Sequence, residues 1–300
     1  IGEAGLVSAA GNSEVINLTK SGYEDGNAKW MMGGKMMIWF SDRDGMKNHG
    51  SWGASSDVYG MFFTQDAYDR FRLSEDDYKL LKERDDKTKD KAKDEKADDD
   101  KSKSKTEDKK TELLVIDLKG LEDRKAKLTI HSSLLGDAII SDDGEKLYYL
   151  ARIEKGVDLW TTNLRTRETK ILTKLGDNAS SLSLSKDGKK LFALVDGKPN
   201  KIDAESGKKE PMTINGEMML YKKQELSYIY DHAWRQVQKK FYVTDLHGVD
   251  WNYYKKEYAK FLPHISNNWE FSEMLSELLG ELNASHTGCR FSPDVKNGDV

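Results

Sequence analysis

Two adjacent residues, Ser285 and His286, have side chains suited to proton transfer. An imidazole can accept the proton of an attacking serine hydroxyl and then return it to the leaving amine. His286 follows an apolar run at helical spacing, and the end of a rigid element is a good place to hold such a base. We expect residues 283–291 to turn from this helix into a short strand, on which the two side chains would point to opposite faces. Alone, the pair is a weak signal, because ordinary polar roles are far commoner for these residues.

Other kinds of site leave no signature in the sequence. There is no phosphate-binding glycine loop, no His-Glu-x-x-His zinc helix and no pair of cysteines, so we expect no metal and no cofactor. The single cysteine, Cys289, excludes an intramolecular disulfide. We expect His232 to pack on a helix or face water, and His247, which precedes a glycine in a turn, to stabilise a loop through a hydrogen bond.

Three short amphipathic helices are predicted before this pair, which suggests a small helical bundle. Asp250 can cap the second helix. Asn267 can cap the third, with Glu270 placed to complete a capping box. The predicted apolar faces consist of Leu226, Ile229, Tyr230, Ala233, Trp234, Val237 and Phe241, then Trp251, Tyr254, Tyr258 and Phe261, and then Phe271, Met274, Leu275, Leu278 and Leu282.

The first two thirds of the chain consist of strand-like runs separated by turns. A polar turn with glycine, followed by an apolar run, occurs at 32–40, 141–150 and 185–194. Gly144 and Gly188 in the last two copies are 44 residues apart (188 − 144). Such a period is typical of β-propeller blades, and Asp-Gly turns supply the positive φ of tight hairpins. We therefore predict a mixed fold, with blades of an incomplete β-propeller followed by a small helical bundle. A β-sandwich with coincidental hairpins is the alternative.

Residues 82–110 interrupt the strand pattern. They hold 12 basic and 11 acidic residues and no bulky apolar side chain. Nothing there offsets the entropy of ordering, so we predict a disordered insertion. One long charged helix is the alternative, because Lys and Glu propagate helices well. The flanking runs, 62–63 and 113–116, are expected to be two strands of one blade, which would make the insertion a long hairpin loop.

Several stretches resemble the tricorn-type serine peptidases of the C-terminal-processing peptidase superfamily. The helical part of the resemblance rests on Ala233-Trp234-Arg235-Gln236-Val237, Phe241-Tyr242, His247-Gly248-Val249-Asp250-Trp251 and Leu278-Leu279-Gly280-Glu281-Leu282-Asn283-Ala284-Ser285-His286. The upstream part, similar to the propeller of bacterial members, is Trp39-Phe40-Ser41-Asp42-Arg43-Asp44-Gly45. The resemblance covers most of the chain apart from the charged insertion.

The resemblance implies a domain order of propeller, helical segment, PDZ-like domain and α/β domain. We therefore expect the carboxyl-terminal blades of a propeller over 1–215 and a helical tricorn core segment over 222–291. Residues 292–300 would begin a linker to a downstream catalytic region.

The resemblance also implies roles for individual residues. His286 matches the general base and Ser285 the serine beside it, which would organise a polar network. The nucleophile, a glutamate and the oxyanion-hole amides would lie beyond Val300, so this chain would be inactive alone. Peptides would be the substrates and the propeller would filter their access. Members of the family can also assemble into homo-oligomers.

Two alternatives stay open on the sequence. A prolyl-oligopeptidase-like hydrolase places its nucleophilic serine before the acid and the histidine. Here no Gly-x-Ser-x-Gly occurs, and His286 comes first. A non-catalytic propeller is the second alternative, because propellers often serve as protein-binding platforms.

Composition limits the partners and the location. The 300-residue chain has a net charge of -4 and a pI near 6.0, which give no reason to expect nucleic acid. No apolar run of about 18 residues occurs, so no membrane partner is expected. The chain opens with Ile1 rather than Met, and we expect the true amino terminus to lie upstream. The family location is the cytoplasm, with the periplasm as the alternative.

Overall fold

The computed structural model describes residues 1–97, 114–153 and 155–292. The chain divides into two compact units, Ile1–Ile214 and a second that begins at Asn215. Apart from its first residue, the predicted linker over 292–300 lies outside the described residues. Within the described ranges, no helix combines the length and the apolar character that a membrane crossing requires.

The first unit consists of antiparallel sheets in which neighbouring strands are consecutive in the chain. A two-stranded sheet, β1 (Gly5–Leu6) with β2 (Ile16–Asn17), precedes three four-stranded sheets. The first blade contains β3 (Asp25–Met31), β4 (Met36–Ser41), β5 (Asp57–Phe62) and β6 (Lys125–Lys127); the second, β7 (Leu134–Ile140), β8 (Lys146–Arg152), β9 (Val157–Asn163) and β10 (Thr169–Gly176); the third, β11 (Ala179–Leu184), β12 (Lys190–Val195), β13 (Lys198–Asp203) and β14 (Lys209–Pro211). This up-and-down order is that of propeller blades, and the prediction of an incomplete propeller is confirmed.

The two clean sequence repeats have the same turn geometry. Gly144 and Gly188 adopt positive φ values of 75° and 70°. Each glycine amide donates to the carbonyl of the serine three residues earlier, over 2.8 and 2.9 Å. The hydroxyl of that serine then accepts a hydrogen bond from the amide that opens the next strand, over 2.9 and 2.8 Å. The repeat predicted from sequence is therefore a repeat of hydrogen bonds as well.

Neighbouring blades pack through apolar faces. Ile38 and Phe62 of the first blade share a core cluster with Tyr149 of the second. On the opposite face of the same strand β8, Leu150 packs with Leu191 of the third blade. Side chains alternate between the two faces of a strand, so β8 contributes to both cores. A strand buried on both faces needs apolar residues at successive positions, which accounts for the run at 147–151.

The insertion in the first blade begins with two helices, α1 (Gln65–Arg72) and α2 (Glu75–Ala97). The structure therefore differs from the predicted disorder over 82–97, which is helical, while residues 98–110 lie outside the described residues. Pairs such as Lys79 with Glu75, at 2.7 Å and four residues apart, support such a helix.

Arg165 of the second blade holds this insertion. Its guanidinium pairs with Glu145 at 2.7 Å and donates to three carbonyl oxygens at the end of α1 and just after it. Its charged carbon lies 3.6 Å from the ring centre of Tyr78, in the first turn of α2. The side chain is almost fully buried. One arginine therefore satisfies the end of α1 and fixes the start of α2.

The chain returns to the first blade later than the sequence indicated. We expected a strand over 113–116, but residues 114–118 contain none and the next strand is β6. The amide of Asp117 donates to the carbonyl of Phe63 at 2.9 Å, and the buried guanidinium of Arg124 donates to the carbonyl of Phe62 at 3.1 Å. These hydrogen bonds pair the backbone carbonyls at the end of β5 without a strand over 114–118. Since β5 and β6 pair directly, the insertion still joins adjacent strands.

The second unit contains three helices, α3 (Lys222–Lys240), α4 (Trp251–Ala259) and α5 (Asn268–Gly280). Most of the predicted apolar face packs into one cluster, and the α5 residues do so completely. Two assignments are wrong, because Ile229 is 39% and Phe261 is 55% exposed. Tyr230 takes the inward position beside Ile229, with its hydroxyl donating to the carbonyl of Lys255 at 2.6 Å. Phe261 lies beyond the end of α4, where the helical period no longer applies.

Candidate active site

The helix before the candidate residues has a well-defined start. Asn267 caps α5, and its side-chain oxygen accepts hydrogen bonds from the amides of Trp269 and Glu270, both at 3.0 Å. The Glu270 carboxylate reaches back to the amide of Ser266 at 2.8 Å, rather than to that of the cap residue. The hydrogen bonds that the carboxylate accepts from the amide and the hydroxyl of Ser266 hold the pKa of Glu270 below its usual value of 4.5. The predicted cap is therefore present, with its reciprocal bond moved by one residue.

The structure places Ser285 and His286 in an exposed turn after α5. The predicted strand over 283–291 is wrong, since none of these described residues is in a strand. Asn283 and His286 have φ values of 46° and 63°, which break an extended path. The argument that the two side chains point to opposite faces of a strand does not apply. Among the described residues, neither side chain has a hydrogen-bond partner, so the imidazole is free on both nitrogens.

A histidine holds the chain at the end of α5. His247 Nδ1 lies 3.0 Å from the carbonyl oxygen of the buried Leu282, and its Nε2 contacts the hydroxyl of Tyr242. A carbonyl oxygen can only accept, so Nδ1 carries the proton toward Leu282, and in the neutral ring Nε2 accepts from Tyr242. The predicted loop-stabilising hydrogen bond of His247 is confirmed.

A tyrosine holds the residue before Leu282. The Tyr258 hydroxyl on α4 donates to the Glu281 carboxylate at 2.8 Å. Burial, reinforced by this hydrogen bond to a negative group, raises the pKa of Tyr258 to about 12. The chain that follows α5 is thus anchored twice, through the side chain of Glu281 and through the backbone carbonyl of Leu282.

A serine holds the far side of the turn. The Ser276 hydroxyl on α5 donates to the carbonyl of Cys289 and accepts from its amide, both at 2.9 Å. Inside the turn, the Thr287 hydroxyl donates to the carbonyl of Ala284 at 2.9 Å. The segment that carries Ser285 and His286 therefore begins and ends at anchored residues.

The sequence does not specify two of these anchors, for different reasons. It predicts a loop-stabilising hydrogen bond for His247 but not the partner, because nothing in the sequence places His247 beside Leu282. Ser276 lies on the predicted helix, but no role for it follows from the sequence. A serine four to five positions before the end of a helix that precedes a polar turn is the only available signal, and it is too common to be specific.

Comparison with known families agrees with this helical architecture. Residues 222–280 match the family model described as the tricorn protease C1 domain. The helical unit is therefore similar to a tricorn protease C1 domain, and residues 222–280 are called the C1 domain after this match. The match covers α3, α4 and α5, and ends five residues before Ser285. The resemblance of the chain to tricorn-type peptidases is confirmed.

Two relatives extend the similarity beyond the C1 domain. Tricorn protease homolog 2 of Streptomyces coelicolor is 29% identical over 119 residues, 38% of this chain and 10% of that protein. The crystal structure of the tricorn protease aligns with 92% of this chain and 25% of its own length, with a TM-score of 0.60 and 14% identity. At that identity the likeness establishes the fold alone. The chain thus spans about a quarter of the solved tricorn protease.

Proposed function

We propose that this chain is part of a serine-type peptidase that hydrolyses peptides, with His286 as its general base. The observation that supports the proposal most strongly is the order of elements: a tricorn protease C1 domain is followed within five residues by an exposed Ser285–His286 pair. The blades of the first unit would control which peptides reach the site. The serine nucleophile and the oxyanion-hole amides would come from outside these 300 residues.

The geometry of the turn suits a general base whose serine nucleophile comes from another part of the protein. The exposed imidazole of His286 has no hydrogen bond to any described residue, so either nitrogen is available to an incoming serine hydroxyl. In the proposed step, the hydroxyl proton passes to the imidazole while the serine oxygen bonds to the peptide carbonyl carbon. The same proton then passes to the leaving amine as the carbon–nitrogen bond breaks. Ser285 would contribute polar contacts that orient this assembly.

Turnover of short fluorogenic peptides by the full-length peptidase tests the proposal. His286→Ala should reduce turnover by about 10⁴- to 10⁶-fold, as loss of a triad member does. Its circular dichroism and unfolding midpoint should stay unchanged, because the side chain is exposed. His232→Ala is the matched control, since His232 is an exposed histidine on α3. Normal turnover in a folded His286→Ala protein would disprove the assignment, and a non-catalytic propeller would then be favoured.

A further inference from the structure

The turn that carries His286 is a short span held at both ends. Leu282 is held on one side and Cys289 on the other, which leaves six residues, 283–288, between the anchors. His286 lies in the middle of this span with a left-handed backbone conformation. A non-glycine residue pays a conformational cost there, so the surrounding contacts must hold it in place.

The anchor at Leu282 depends on a histidine that is itself restrained. His247 has a φ of 59°, and its ring packs edge-on against Phe241 at 5.2 Å between centroids. Its amide also donates to the Asp245 side chain at 3.2 Å. With Tyr242 on one nitrogen and Leu282 on the other, both ring nitrogens contact groups of the protein although His247 itself is exposed. His247 therefore has no nitrogen left for proton transfer and is suited to holding the chain.

The anchor at Cys289 depends on one hydroxyl. A serine hydroxyl has one donor and two acceptor positions, and Ser276 uses them to satisfy both the amide and the carbonyl of the same residue. In a sheet these two groups would bond to a neighbouring strand. Here the helix α5 replaces that strand, and the loop is joined back to the helix it has just left.

We infer that His247 and Ser276 are positioning residues, which act through the backbone at Leu282 and Cys289 to hold His286 where a nucleophile can reach it. This inference rests on the proposed function of His286. A displacement of about 1 Å can cost 10²-fold in rate, so loss of either anchor should lower kcat by roughly 10- to 100-fold. KM should change by less than about two-fold, because the substrate contacts are untouched.

Conservative and disruptive variants of both anchors in the full-length peptidase separate positioning from stability. Ser276→Ala removes both hydrogen bonds, whereas Ser276→Thr keeps the hydroxyl and should restore kcat. His247→Ala removes the imidazole, whereas the amide of His247→Asn can still donate to the carbonyl of Leu282 and should restore most of the rate. Ser272→Ala is the matched control, since Ser272 lies one turn earlier on α5 and makes no side-chain hydrogen bond to a described residue.

Two further measurements keep the test decisive. Amide hydrogen exchange over 283–289 should accelerate in Ser276→Ala and not in Ser272→Ala. Tyr242→Phe, which removes only an exposed hydroxyl, covers the case in which His247→Ala fails to fold, and it should lower kcat by a few-fold. Wild-type kcat in Ser276→Ala and Tyr242→Phe, beside an inactive His286→Ala, would overturn the positioning roles and leave the proposed function standing. The positioning roles would also be overturned if kcat fell in proportion to the drop in unfolding midpoint and Ser276→Thr did not restore it. An active His286→Ala would instead disprove the proposed function.

Discussion

Trp234 and Trp251 exchange hydrogen bonds, since the indole N–H of each donates to the backbone carbonyl of the other, over 2.9 and 3.1 Å. Trp234 lies on α3 and Trp251 opens α4. The ammonium of Lys255 also lies 4.4 Å from the ring centre of Trp234. A buried indole N–H needs a partner, and these two tryptophans satisfy each other. The angle between α3 and α4 is therefore fixed by polar contacts inside an apolar cluster.

We expect Trp234→Phe and Trp251→Phe each to lower the free energy of unfolding by about 1–3 kcal/mol, because each removes one of these hydrogen bonds between the helices and replaces a large side chain with a smaller one. Their effects should be coupled, with an interaction free energy of at least about 0.5 kcal/mol in a double-mutant cycle. Urea unfolding followed by circular dichroism measures this. Trp269→Phe, at a half-exposed position, is the control. Strictly additive single effects would show that the reciprocal bonds are energetically independent.

Leu278 and Ile229 provide a matched test of the helical core. Leu278 is 1% exposed, whereas Ile229 is 39% exposed although its spacing predicted burial. Leu278→Asp should unfold the C1 domain, because an unpaired buried carboxylate costs several kcal/mol. Ile229→Asp should cost less than about 1 kcal/mol. Equal losses of helical signal in the two variants would contradict the face assignment.

The insertion should tolerate removal of its distal part but not of its anchor. Deleting residues 82–110 loses the exposed Arg70–Asp85 ion pair, and such pairs contribute about 0–1 kcal/mol. Arg165→Ala should lower the free energy of unfolding by about 3 kcal/mol or more, because it leaves a partly buried Glu145 unpaired and removes the donor to three backbone carbonyls. Calorimetry on both variants measures this. A larger loss in the deletion than in Arg165→Ala would show that the distal part packs on the blades.

Glu270 should give the C1 domain a stability that depends on pH. Its hydrogen bonds, first with the Ser266 amide, lower its pKa from 4.5 in the folded state. The folded pKa is the lower one, so the contribution is present above about pH 4.5 and is lost as pH falls through the folded pKa. The difference in unfolding midpoint between wild type and Glu270→Gln should therefore shrink from pH 7 toward about pH 3. A difference that stays constant over this range would contradict the shift.

Under the proposed function, Ser285→Ala in the full-length protein should reduce peptide turnover by less than His286→Ala does. The serine would orient polar groups, whereas the histidine would carry the proton itself. Ser285 is exposed, so the variant should keep its unfolding midpoint. Turnover assays with circular dichroism as the folding control measure this. A loss as large as that of His286→Ala would indicate that Ser285 is a member of the proton-transfer unit.

The fold was predictable where local chemistry and packing agree. Gly144 and Gly188 follow aspartates in turns that need positive φ, and the structure has both turns. All residues predicted for the α5 face pack into one cluster, and Leu282 does so although it lies two residues after the end of the helix. Phe261 fails because the period was carried past the end of α4, and Ile229 fails because a larger neighbour took the inward position.

The site was less predictable, because its geometry depends on contacts between distant parts of the chain. The extended path expected after α5 requires a neighbouring strand, and the hydroxyl of Ser276 satisfies the backbone there instead. His247 lies 35 residues before its partner Leu282. Neither pairing follows from spacing, since both depend on how the helices of the C1 domain pack.

The consecutive order of strands within each blade has an evolutionary consequence. A tandem duplication of one stretch of about 44 codons, the spacing of Gly144 and Gly188, would copy a complete sheet together with its turn and both of its packing faces. The new blade could pack on the blade from which it was copied at once, because that blade already has the apolar face that the new one needs. Propeller length in such a lineage can therefore change in whole units, without any intermediate that leaves half a sheet unpaired.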